Sequence, residues 1–241
     1  MVFGLHPVEE VIRSGQEIEK IFVQSAERSP QITAITNYAR TNNIPVQYVP
    51  IEKMNRLTRK NHQGVVAFIC PISYQSIEQV VPMVYEEGKI PFVVVLDRVT
   101  DVRNFGAIAR SAYAAGAQAI VIPSRGSALI NADAMKASAG ALSLINVCRA
   151  DNLKDALYFL QQSGLKIVAF SEKGKNNIWN TDLTGPLAII MGLEEDGVSP
   201  AYLKIADDYL HIPMPGDIDS LNVSVATGIV CFEVVRQRNN I

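Results

Sequence analysis

Little in this chain is suited to holding a metal or a disulfide. Among its 241 residues there are three cysteines and three histidines. Cys70, Cys148 and Cys231 are odd in number, far apart and set among apolar neighbours, which fits neither a disulfide framework nor a Cys-x-x-Cys metal site. They read as small buried hydrophobes. His6, His62 and His211 do not pair at ligand spacing, and no metal is expected. Long apolar runs are also missing. "FVVVL" (92–96) and "LAIIMGL" (187–193) fall far short of the roughly 20 residues that cross a bilayer. No membrane is expected, and both runs read as buried parallel strands. The N-terminus brings a Pro and two Glu within ten residues, unlike the basic head and apolar stretch of a signal peptide, so a cytoplasmic location is expected.

A strong excess of positive charge is absent as well. The formal net charge is −2, which argues against a nonspecific nucleic-acid coat but leaves room for a local basic patch. Residues 1–75 hold eight Lys/Arg against six Asp/Glu, a net of +2, leaving −4 for the remainder. The basic residues concentrate in "EKMNRLTRKNHQG" (52–64), where Lys53, Arg56, Arg59, Lys60 and His62 form the candidate RNA-binding surface, with Arg103 and Arg125 as extensions. The plain alternative is a solvated helix face.

What is present is alternation. In the first seventy residues, helix signals at 6–15, 29–43 and 51–58 interleave with strand signals at 18–24, 46–50 and 65–71. The stretch 74–90 has mixed signals, with a Pro inside it and another directly after, and reads as a linker between a domain at 1–73 and one at 91–241. Beyond it, strands are expected at 92–96, 119–122, 144–148, 166–170, 187–191 and 208–213. Helices are expected near 105–115, 131–140, 152–163, 199–206 and 222–236. Such a pattern predicts an α/β fold, a parallel sheet covered by helices. Ligands bind such sheets beyond the C-terminal strand ends.

Three strand exits are unusual. "LDRVTDVRNFGAIARSAYAAGA" (96–117) places Asn104 and Arg110 at the head of an Ala-rich helix; a capping Asn and a solvated Arg are the plain reading. "IIMGLEEDGVSP" (189–200) carries Gly192 and Gly197 around three acids. Glycines permit close backbone approach to a ligand, solvated acids are commoner than Mg²⁺ ligands, and the G-x-G-x-x-G spacing is absent. "IPMPGDIDSLNVSVATGI" (212–229) alternates Ser220, Asn222 and Ser224 with apolar residues. One helix cap accounts for one of these three. A hydrolase set of Ser220 or Ser224 with His211 and Asp217 lacks any G-x-S-x-G elbow.

Taken together, "NFGAIAR" (104–110), "IMGLEEDG" (190–197) and "IPMPGDIDSLNVSVATGI" (212–229) resemble, in order, the three motifs of the SpoU family of RNA 2′-O-ribose methyltransferases, within the SPOUT superfamily. "GLHPVEEVI" (4–12) and "HQGVVA" (62–67) resemble the family's substrate-binding domain. The likeness is greatest to the group that methylates guanosine in 23S ribosomal RNA. The resemblance implies S-adenosylmethionine as cofactor, a deep trefoil knot in the C-terminal parallel-sheet domain, a homodimer, and a small N-terminal ribosomal-protein-like RNA-binding domain. It implies that Gly192, Ile212 and Leu221 hold the cofactor. Asn104, Arg110, Ser220 and Asn222 then form the catalytic constellation, with Glu194 helping to organise it. Transfer RNA as substrate, or a non-catalytic ribosome-assembly role, are the alternatives. The chain departs from the family at Val102, where Pro is frequent, and at Glu195, where Gly is usual.

Overall fold

The computed structural model describes residues 1–193, 197–218 and 220–239. It divides into two compact units, Met1–Ser73 and Tyr74–Ile241. In the first unit the elements run β1 (Val2–Phe3), α1 (Leu5–Arg13), β2 (Ile18–Gln24), α2 (Pro30–Thr41), β3 (Val46–Val49), α3 (Ile51–Leu57) and β4 (Val65–Ile69). The sheet order is β1-β4-β2-β3, with β2 parallel to β3 and antiparallel to β4. Alternation along β2 separates two cores. Ile21 and Val23 join Val8, Ile32 and Ile35, from α1 and α2, whereas Phe22 packs with Val49, Met54 and Val66 on the α3 side. Ser29 starts α2 by accepting the Ile32 N–H, with Pro30 at the first helical position.

The second unit contains α4 (Ile77–Glu86), β5 (Phe92–Leu96), α5 (Val102–Ala114), β6 (Ala119–Pro123), α6 (Ala132–Ala137), β7 (Asn146–Ala150), α7 (Leu153–Gln162) and β8 (Lys166–Phe170). These are followed by β9 (Asn176–Asn177), β10 (Leu187–Met191), α8 (Pro200–Leu203), β11 (Asp208–His211) and α9 (Val223–Arg238). The sheet is parallel in the order β7-β6-β5-β10-β8-β11-β9. Strands β5 to β7 build outward on one side, and β8 begins the other side. The late strand β10 fills the gap between β5 and β8, where every residue of β5 and β10 is buried. That is a topological switch point, the place where α/β sheets bind ligands.

The segment expected as a linker, 74–90, is corrected by α4. Ile77, Val80, Val81 and Val84 form a stripe at helical spacing, buried in the second unit's core. Pro82 lies inside this helix at a local cost of about 3 kcal/mol, which the packing of that stripe offsets. The β7 strand runs two residues later than expected, and β11 stops at His211. Among the described residues, no helix is long and apolar enough to cross a membrane.

Helix α5 explains its own composition. Asp101 caps it by accepting the Arg103 and Asn104 N–H groups. Val102 stands at the first helical position, where Pro is readily accommodated. A Cβ on Gly106 would come within 2.6 Å of the Ala134 carbonyl and of Ala137, so glycine permits the close crossing of α6. Gly116 closes the helix with φ +78°.

Candidate active site

Strands β10, β8 and β11 are adjacent and parallel, so their exits at Met191, Phe170 and His211 open side by side. A small cleft, partly open to solvent, lies at these exits. Its walls are the apolar side chains of Phe170, Met191, Ile212 and Leu221, with Gly192 and Gly197 giving bare backbone. Gly192 is required by the packing of the chain on itself: a Cβ there would collide with the Gly197 carbonyl and the Val198 nitrogen. The Gly197 N–H donates to the Leu193 carbonyl (2.8 Å), and its φ is +64°. Apolar walls beside accessible backbone suit a flat heterocycle that has both a π-face and a hydrogen-bonding edge. Ser171, Glu172 and Ser220 supply polar groups to the same cleft. The lining fits S-adenosylmethionine: the apolar walls would take a flat heterocycle, and Glu172, whose carboxylate also accepts from Ser171, would offer negative charge to a cation.

The structure gathers Gly192, Ile212, Ser220 and Leu221 around this one cleft. Asn222 sits beside it as the cap of α9. Its Oδ1 accepts the Ser224 N–H (3.0 Å) and hydroxyl (2.6 Å), while its Nδ2 donates to Asn104 Oδ1 (3.1 Å). Asn104 is therefore not the helix cap that its position suggests, because Asp101 holds that role. Arg110 is exposed and lies six residues beyond Asn104 on α5, a rotation of about 240° around the helix axis. Asn104 and Ser111 face α9, since Gly228 of α9 approaches Ser111 Oγ. Arg110 instead shares an exposed stripe with Arg103, seven residues earlier. Glu194, and the unusual Glu195, lie outside the described residues.

In the first unit, Lys53, Arg56, Arg59 and Lys60 are exposed. His62 is the correction within this group. Only 7% exposed, it accepts the Gly64 N–H at Nδ1 (3.1 Å) and meets Asn55 Oδ1 through Nε2 (3.2 Å). With Nδ1 accepting, Nε2 carries the proton, and the ring braces the turn before β4 instead of facing solvent. Lys20 was not singled out from sequence. Its Nζ lies 4.8 Å from the Phe22 ring centroid and that of Lys53 lies 5.5 Å from it, while Lys60 stands over Phe3. Partial burial, followed by the charge of Lys53, lowers the Lys20 pKa from its ordinary value.

Ser171 and Glu172 were also missed in the sequence, where a polar pair after the apolar β8 looks like any turn. Burial pushes the Cys148 and Cys231 thiols up to about 12, so neither supplies a thiolate nucleophile. Among the described residues, no group of three or more His, Cys, Asp or Glu side chains is arranged for a metal.

Comparison with known proteins identifies the family. The family profile described as SpoU rRNA Methylase matches residues 91–232, and that described as RNA 2′-O ribose methyltransferase substrate binding matches residues 1–75. A chain of Staphylococcus saprophyticus named for the TrmH family of tRNA/rRNA methyltransferases is 36% identical over 241 residues, covering 100% of this chain and 97% of the relative. The 23S rRNA (guanosine-2′-O-)-methyltransferase RlmB of Photobacterium profundum is 35% identical over 240 residues, covering 99% and 98%. Among solved structures, the AdoMet-bound rRNA methyltransferase of Sinorhizobium meliloti superimposes with a TM-score of 0.62 at 27% identity, over 98% of this chain and 86% of that one. The chain belongs to the SpoU family of S-adenosylmethionine-dependent RNA 2′-O-ribose methyltransferases.

Proposed function

We propose that this protein methylates the 2′-hydroxyl of a guanosine ribose in 23S ribosomal RNA. The observation that carries the reading is end-to-end similarity, through both units, to an enzyme named for that reaction. The name of the staphylococcal relative covers tRNA as well as rRNA, and transfer RNA is the second reading.

S-adenosylmethionine supplies a methyl group already made electrophilic by its sulfonium, with a leaving group that departs neutral, so the chain's residues have two tasks. They must hold the ribose in place and remove the hydroxyl proton. Gly192, Ile212 and Leu221 bind the cofactor in the cleft. Ser220 and the Asn104–Asn222 pair fix the polar rim where the ribose enters. Arg110 orients the ribose and its neighbouring phosphate and stabilises developing alkoxide charge. A guanidinium holds its proton too tightly to act as a base, so the 2′-hydroxyl proton passes to solvent water as the methyl–oxygen bond forms and the methyl–sulfur bond breaks. Glu194 completes this constellation in the proposal. Lys53, Arg56, Arg59 and Lys60, joined by Lys20, meet the RNA backbone.

The finer architecture belongs to the same proposal. The late insertion of β10 between β5 and β8, and the return of Ile212, Leu221, Val223 and Ala226 to the cleft that Gly192 and Gly197 also line, support a chain that threads a trefoil knot. Val225 and Phe232, each 51% exposed, flank Ile229 on one stripe of α9. That apolar stripe supports a homodimer.

The deciding experiment incubates the protein and labelled cofactor with 23S RNA, ribosomal particles or bulk transfer RNA, then maps the modified ribose. Label at a 23S guanosine is expected; label confined to transfer RNA would replace the first reading with the second.

A further inference from the structure

The exits of β5 and β10 are tied together by Asp97 and Arg98. Asp97 directly follows β5 and is 2% exposed. Its carboxylate accepts the Ser199 N–H (2.7 Å) and the Ser199 hydroxyl (2.6 Å), as well as Arg98 Nε (3.2 Å) and Nη2 (3.3 Å). The same Arg98 Nη2 donates to the Gly197 carbonyl (3.1 Å), and the Asp97 N–H donates to the Met191 carbonyl (2.8 Å). One carboxylate and one guanidinium thus grip residues about a hundred positions away. Gly197 lines the cleft, and the Gly197 carbonyl and Val198 nitrogen are the atoms that leave Gly192 no room for a side chain.

The backbone of Arg98 makes this grip informative. Its φ is +59°, in the left-handed region that favours glycine. A glycine would occupy the position without strain. The arginine occupies it at a conformational cost, and what its side chain gains includes the contacts to Asp97 and Gly197. Strain at a non-glycine residue beside a ligand cleft is a pointer to function when the contacts around it explain why it persists.

We propose that Asp97 and Arg98 are positioning residues that hold the Gly197–Ser199 wall in the shape that receives S-adenosylmethionine. They tie that wall to the start of α5, where Asp101 and Asn104 follow within seven residues. The inference rests on the reading of the cleft as the cofactor site. Neither side chain needs to touch the cofactor: the buried carboxylate anchors Ser199, and the guanidinium fork bridges carboxylate and carbonyl, a geometry lysine cannot reproduce.

Arg98→Gly separates this role from a merely structural one, because it removes the grip and the backbone strain together. The measurements are the ligand-free Tm, calorimetric titration with S-adenosylmethionine, and turnover at saturating cofactor. The expected result is a Tm within several degrees of the wild type, because relief of the left-handed strain offsets part of the cost of leaving the buried Asp97 carboxylate without its guanidinium. The cofactor Kd should rise on the order of 10-fold, the loss anticipated for a hydrogen bond from a charged donor. Turnover at saturation should stay within about 3-fold. Arg98→Lys should bind like Arg98→Gly, and Asp97→Asn should weaken binding at least as much. An unchanged Kd in Arg98→Gly overturns the proposal, as does a lowered Tm with weakening only in proportion to unfolding. Leu221→Asp places a charge in the cleft wall and tests the site itself. If it binds cofactor like the wild type, the cleft assignment is wrong; if it loses binding while Arg98→Gly keeps it, the clasp alone is wrong.

Discussion

Asn222 Nδ2 donates to Asn104 Oδ1 at 3.1 Å, joining the N-terminus of α9 to the first turn of α5. The other end of the same amide caps α9 through Ser224, so one side chain serves both helix and site. The two jobs are separable. Ser caps about as well as Asn but cannot reach Asn104, so Asn222→Ser should melt within a few degrees of the wild type while methyl transfer falls on the order of 10-fold or more. Asn222→Ala should lose the cap as well, about 1 kcal/mol. Wild-type turnover in the Ser variant would show that the Asn104 contact is incidental.

Arg110 is exposed and does not line the cleft. Arg110→Ala should therefore leave the cofactor Kd within about 2-fold while turnover falls on the order of 100-fold or more, the scale of lost electrostatic stabilisation at a reacting centre. Arg110→Lys keeps charge but not the planar fork and should recover only part of the rate. Titration calorimetry beside single-turnover transfer separates the two quantities. Parallel losses in binding and rate would move Arg110 into the cofactor site.

At Gly192 the constraint is steric. An added Cβ meets backbone atoms of Gly197 and Val198, which cannot rotate away as a side chain tip would. Gly192→Ala should cost about 1–3 kcal/mol through overpacking and abolish cofactor binding at micromolar protein. A variant that binds cofactor normally would mean that this segment can shift as a unit.

Much of this layout was legible in the sequence where burial is two-sided. The expected bounds 92–96, 166–170 and 187–191 coincide with β5, β8 and β10, because a strand buried on both faces writes itself as a continuous apolar run. The two-residue strands β1 and β9 have no room for a period, and α4 hid behind Pro82 and its β-branched residues. The site divides in the same way. Gly192, Ile212 and Leu221 stood out through motifs, whereas the Asp97–Ser199 bond spans 102 positions and exists only in the fold. His62 read as part of a basic surface because its burial depends on Asn55 and Gly64, contacts that no local pattern announces.

Arg59 and Lys60 are exposed in the turn after α3. If both neutralise phosphates, Arg59→Ala with Lys60→Ala should weaken RNA binding. The slope of log K against log salt should also become shallower, by roughly 0.7 per lost contact to single-stranded RNA. Cofactor binding should not change. His62→Ala should act differently, lowering stability through its buried hydrogen bonds without altering the salt slope. Binding measured by filter retention across a salt series checks both, and an unaltered slope in the double variant would remove these two residues from the RNA surface.

Glu233 on α9 sets an acid limit on stability. It is 5% exposed, and hydrogen bonds from Arg236 (2.8 Å), aided by Gln237 (2.7 Å), hold its carboxyl below the ordinary 4.5 although burial opposes them. The folded carboxylate binds its proton less tightly than the unfolded one. Its contribution is therefore complete above that ordinary value and is lost as pH falls through the lowered folded value. Gln237 also donates to the Thr181 carbonyl and accepts the Leu183 N–H, so protonating Glu233 loosens the seat of α9 on the loop before β10. Glu233→Gln should destabilise the protein at pH 7 and flatten the decline of Tm below about pH 4.5. Melting curves from pH 7 to 3 check this, and a decline of unchanged steepness would assign the acid limit to other carboxylates, with Asp182 and Asp208, both also lowered by their hydrogen bonds, next in line.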